Sequence, residues 1–140
     1  MKHIKSYMLF ESILFYDEIS DIVSDVKDDG ISVTYTTVPH EIGYNANGDM
    51  EFEDVISLSF YIQHGLFYKS FRWDIVNNCI NHLVGFMGEM GYKYHMSVDY
   101  EPINYEIRKE FKRIEQMNIG DSITILRIEF NKNNLKLKAI

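Results

Sequence analysis

A pattern that returns after 61 residues constrains this chain more than any other feature. Ile19, Ile22, Val23, Val26, Asp28, Gly30 and Val33 line up with Ile80, Leu83, Val84, Met87, Glu89, Gly91 and Tyr94. In each copy apolar residues recur at three- and four-residue intervals, a glycine follows, and a period-two run begins. This is the grammar of an amphipathic helix, a left-handed stop and a strand. The likeness is one of pattern, with little residue identity.

In the first copy the helix spans Ile13 to Asp28, with Asp17, Glu18, Asp21 and Asp25 opposite its apolar stripe. Ile31, Val33, Tyr35 and Thr37 then alternate with Ser32, Thr34 and Thr36, a strand with one polar face. Asn47-Gly48 is a hairpin signal. It predicts a return strand over about Glu53 to His64 with Ile56, Leu58, Phe60 and Ile62 on one side. A two-residue turn there pairs Val33 with Ile62, Tyr35 with Phe60 and Thr37 with Leu58, with Pro39 as the point where the hairpin bends.

The second copy predicts a helix from about Ser70 to Met90 that buries Trp73, Val76, Ile80, Leu83, Val84 and Met87. A strand with Tyr92, Tyr94, Met96 and Val98 inward follows, and the last strand, Ser122 to Asn131, turns Thr124, Leu126, Ile128 and Phe130 inward. Between them Ile103, Ile107, Phe111, Ile114 and Met117 suggest a third, shorter helix. The expected fold is α+β: an αββαββ two-layer sandwich with a four-stranded antiparallel sheet in the order 1-2-4-3, a permuted ferredoxin-like arrangement with two helices on one face. It makes one domain of 1–140, with pseudo-repeats at about 12–64 and 70–131.

Composition narrows function mainly by exclusion. In 140 residues, 21 acidic side chains against 14 basic ones give a charge of -7, which repels nucleic-acid backbones and anionic lipid. No apolar run approaches the roughly 20 residues of a membrane-spanning helix. After Lys2 and Lys5, Glu11 breaks the Tyr7-Met8-Leu9-Phe10 run before a secretory core is complete. The lone Cys79 falls inside an apolar stripe, which suits a small buried hydrophobe in a reducing cytoplasm.

Candidate chemistry is sparse. Asp17, Asp21 and Asp25 form one acidic line that a basic partner could meet, without the histidine or second carboxylate cluster a metal site needs. Asn45 to Asp49 resembles a calcium loop only until Gly43 takes the first ligand position. His3, His40, His64, His82 and His95 show no zinc spacing, and no nucleophile, phosphate-loop or C-x-x-C motif is present. Gly85, Gly88 and Gly91 read as helix packing rather than a phosphate loop. Arg108, Lys109, Lys112 and Arg113, interleaved with Glu106, Glu110 and Glu115, read as ion pairs at helical spacing; Lys132, Lys136 and Lys138 follow. The expectation is a non-enzyme without cofactor or metal.

The sheet face turned away from the helices is the most distinctive surface. It should carry Ser32, Thr34, Thr36, Ser57, Ser59, Tyr61, His95, Ser97, Ile123, Ile125 and Arg127, small and uncharged over most of its area. Tyr61 and Ile125 would form its apolar centre. Tyr61, His95, Ile125 and Arg127, with Asp17, Asp21 and Asp25, are therefore the expected partner-contacting residues.

The opening Met1-Lys2-His3-Ile4-Lys5-Ser6-Tyr7-Met8-Leu9-Phe10-Glu11-Ser12 resembles the head-targeting peptides on small proteins of large contractile-tailed bacteriophages. There a short lysine-and-apolar segment ends in an apolar-x-Glu site for the prohead protease, and Leu9-Phe10-Glu11 is similar to one. The resemblance implies that residues 1–11 are a targeting segment and that cleavage follows Glu11. It also implies an accessory protein that binds another protein, a host factor or a second copy of itself, in the cytoplasm of the bacterial host. The alternative it implies is an internal or structural virion protein packaged in the head.

Overall fold

The computed structural model describes residues 2–103 and 106–132. Two helices, α1 (Lys2–Asp28) and α2 (Trp73–Glu89), end in the same way. Gly30 and Gly91 sit at φ 90° and 88°, where a side chain would be strained. The next residue reaches back five positions in both cases, Ile31 N to Val26 O and Tyr92 N to Met87 O, each at 3.0 Å. These are Schellman caps, and they aim each chain into a strand. At the other end of α2, the Trp73 and Asp74 amides donate to the carbonyls of Asp121 and Ile119, which satisfies first-turn donors without a side-chain cap.

Seven strands form one antiparallel sheet: β1 (Ser32–Tyr44), β2 (Met50–His64), β3 (Phe67–Lys69), β4 (Phe71–Arg72), β5 (Lys93–Ile103), β6 (Glu106–Lys112) and β7 (Ser122–Asn131). The main path runs β1-β2-β7-β5-β6, with β3 paired to β2 and β4 to β7. A 3-10 turn, Ile114–Gln116, links β6 towards β7. The edges differ from the centre in chemistry. Pro39 interrupts the donors of β1, and β6 reads Glu-Ile-Arg-Lys-Glu-Phe-Lys, a charged border that discourages further strand pairing.

The core fills the space between the helices and one sheet face. Ile19, Val23 and Val26 of α1 meet Trp73, Val76, Ile80, Leu83 and Met87 of α2 over Leu58, Phe60, Met96, Val98, Leu126, Ile128 and Phe130. Each large side chain removed from water here contributes about 1.5–3 kcal/mol. Three tyrosines just before and along the length of β5 also carry cations. The cations lie over their rings: Arg108 over Tyr100 at 5.3 Å, Arg113 over Tyr94 at 4.2 Å and Lys132 over Tyr92 at 5.0 Å.

Several expectations are overturned. The sheet has seven strands rather than four, and only two α-helices are present among the described residues, so the four-stranded ferredoxin-like sandwich with a third helix does not stand. The segment expected as that helix forms β6 and the 3-10 turn. A spacing of four is an even number, so a stripe at that spacing fits a strand as well as a helix; Ile103 ends β5, and Ile107 and Phe111 lie on β6. The Lys112–Glu110 ion pair, at 3.8 Å, joins residues two apart on β6, while Arg113 pairs with Glu115 at 3.6 Å where the 3-10 turn begins.

The first hairpin is also offset. Asn45 to Asp49 forms a five-residue loop, its Asn45 Oδ1 accepting from the Asn47 and Asp49 amides at 2.9 and 3.0 Å. A bulge between Glu41 and Gly43 follows. Val33 therefore faces Phe60, Tyr35 faces Leu58 and Thr37 faces Ile56, two residues from the two-residue-turn register. A slip of two leaves every side chain on its own face. Ile123 does change sides: β7 bulges at Thr124, so that Asp99 pairs with Ile125 but Tyr100 with Ile123. Ile123 is fully buried in the core rather than part of the outer face.

Candidate protein-interaction surface

Side chains alternate along a strand, so the partners of the core residues define the opposite, helix-free face. Register across four and five strands orders it into rows. One row is Ser32, Tyr61, Ile125, Asp99 and Lys109; the next is Thr34, Ser59, Arg127, Ser97 and Phe111; a third is Thr36, Ser57, Glu129 and His95. Tyr61 and Ile125 are thus direct cross-strand neighbours, both half-buried. Phe111, at the β6 border, is 54% exposed. Small Ser and Thr side chains keep the surface between them low.

The polar groups of this face are held loosely. Arg127 is exposed and donates from Nε to Ser59 Oγ at 3.3 Å, with no carboxylate in ion-pair range among the described residues. The Tyr61 ring meets Tyr68 edge-on at 5.7 Å, fixing it from the β3 side. Thr124 at the bulge donates its hydroxyl to the Asp99 carbonyl at 3.1 Å. His95 Nε2 is buried and lacks a hydrogen-bond partner.

The structure brings Tyr61, His95, Ile125 and Arg127 onto one face and separates them from the acidic line. Asp17, Asp21 and Asp25 are all exposed on α1, whose opposite stripe packs on the other side of the sheet. They cannot belong to one contact surface with Tyr61. Asp25 does act on the interior: the thiol of Cys79, a buried residue of α2, is pushed up to about 12, first by desolvation and then by the Asp25 charge. Glu11 falls in the helical backbone of α1, and its side chain lies outside the described residues. So do Met1, Lys136 and Lys138.

A concavity of about 430 Å³ lies between β5, β6 and the start of β7. Among the described residues lining it Tyr100 alone is buried; Glu101, Arg108, Glu110 and Asp121 stand around its mouth. The Tyr100 hydroxyl is shifted upward by burial, then by Asp121 and Glu110, against the lowering effect of Arg108. Ser122 donates to Glu101 at 3.0 Å, and Asp121 accepts from the Asn118 amide at 2.8 Å. Sequence reading passes over this cleft because a bulge and a loop, neither with a periodic pattern, bring its walls together.

Among the described residues no three His, Cys, Asp or Glu side chains gather as metal ligands, and no helix is long and apolar enough to cross a membrane. No protein-family model, no curated protein and no solved structure matches the chain.

Proposed function

We propose that the chain is a non-catalytic accessory protein that acts by binding another protein through the outer face of its sheet. The observation behind this is the juxtaposition of Tyr61 and Ile125 on β2 and β7, an apolar pair inside a field of Ser and Thr with Arg127 beside it and, among the described residues, no helix above it. Tyrosine and arginine are among the residues enriched at interaction hot spots. The N-terminal resemblance supplies the setting, a phage-infected bacterial cytoplasm, and the partner is a host factor or a second copy of the chain. The alternative of a packaged virion protein rests on Leu9-Phe10-Glu11, which lie in the helical backbone of α1.

Light scattering of the purified chain, followed by affinity capture from a bacterial lysate, tests the reading. A dimer, or one captured protein, that is lost with Tyr61→Ala and Arg127→Glu supports it. Association unaffected by both substitutions, or a monomer that captures nothing, counts against it.

A further inference from the structure

Beyond the end of β7 the β1–β2 hairpin continues as a ribbon whose chemistry differs from the rest of the molecule. From Val38 to Val55 the chain carries five carboxylates, Glu41, Asp49, Glu51, Glu53 and Asp54, and no lysine or arginine. Ile42, Tyr44 and Phe52 are exposed on it. Pairing of β2 with β7 stops at Ile56, and among the described residues no strand lies along that side of Met50–Val55. Such an edge offers a row of free backbone donors and acceptors.

Where this edge meets the end of β7, polar atoms are buried without partners. Asn131 is 0% exposed, and neither its amide nitrogen nor its amide oxygen makes a hydrogen bond. Glu53 accepts from the Lys132 amide at 2.5 Å through one carboxylate oxygen, while its other oxygen is buried and unpaired. A buried polar group left without a partner forfeits its hydration with nothing in return. A donor and an acceptor on one amide, beside a carboxylate oxygen, match what an extended peptide backbone and a cationic side chain together provide.

We propose that the β2 edge at Met50–Val55 is a strand-addition site for an extended segment of another protein in which lysine or arginine alternates with apolar residues. The alternation follows from the ribbon itself. Along Met50–Glu53, Glu51 and Glu53 point to one face and Met50 and Phe52 to the other, so an added strand meets acid on one side and apolar surface on the other there, before exposed Asp54 joins the Phe52 face and buried Val55 the Glu53 face. This surface is separate from the outer face around Tyr61, and the two assignments stand or fall independently.

A labelled Leu-Lys-Leu-Lys-Leu-Lys peptide and its block isomer Leu-Leu-Leu-Lys-Lys-Lys, titrated into the full chain at low salt, distinguish strand addition from charge attraction alone. The alternating peptide is expected to bind at least tenfold more tightly than the isomer. Glu51→Lys, at an exposed position, should weaken it tenfold or more with an unchanged circular dichroism spectrum, and Arg127→Glu should leave it unaffected. Equal binding of the two peptides, or equal loss with Arg127→Glu, would overturn the proposal. So would binding seen only after removal of residues 133–140, because the occupant of the edge would then be the chain itself.

Discussion

Ile123 and Tyr100 face each other across β7 and β5 on the core side of the sheet, although Ile125, two residues along, faces outward. The single-residue bulge at Thr124 makes both possible. Bulges of this kind re-aim one side chain without ending the strand.

The two isoleucines therefore separate experimentally. Ile123→Ala should destabilise the fold by about 2–5 kcal/mol, the cost of a cavity in a closed core. Ile125→Ala should cost under about 1 kcal/mol. Urea unfolding of both variants checks this, and equal effects would mean that the bulge is misplaced.

Cys79 should be unreactive in the native state. A thiol raised to about 12 by burial is protonated at pH 8, so a disulfide reagent should modify it only after denaturation. Linkage gives a second readout. The unfolded thiol ionises from 9.0 upward, while the native thiol keeps its proton to about 12, so this group's contribution is complete below pH 9 and is lost as pH rises across that window. The slope is at most about 1.4 kcal/mol per pH unit. Cys79→Ala should flatten it.

Gly30→Ala and Gly91→Ala should cost similar amounts, about 1–2 kcal/mol each, because both force a Cβ into the left-handed region with open space around it. Thermal unfolding of the pair tests whether the two caps are energetically equivalent as well as geometrically alike.

Asn131→Leu should stabilise the isolated chain, by about 1–3 kcal/mol, by removing two unpaired polar atoms from a fully buried position. Denaturant midpoints measure it. A loss of stability would show that the amide is satisfied in solution.

The parts of this fold that could be read from the sequence are those written in repetition. The α2 stripe of Val76, Ile80, Leu83 and Met87, ended by Gly91, leaves little choice of structure. The face shared by Tyr61, Ile125 and Arg127 follows from period-two alternation, which a register slip of two does not disturb. Features carried by one residue were not legible. Thr124 has no signature that distinguishes a bulge from a regular strand position, so plain alternation puts Ile123 on the wrong side. β3 and β4, of three and two residues, are too short to show a period. The even spacing of Ile103, Ile107 and Phe111 fits helix and strand alike, and a buried, unpaired amide such as Asn131 has no counterpart in a pattern of residue types.

The place of β7 between β2 and β5 has a consequence for how the chain comes off the ribosome. Its two neighbours are synthesised first, and each waits with a raw edge until Ser122–Asn131 emerge and close the gap. The most central pairings are thus among the last that translation permits, and they join segments far apart in the chain. A product cut short before Ser122 would retain both helices and most of the strands yet have no continuous sheet, leaving two sticky borders open to other nascent chains.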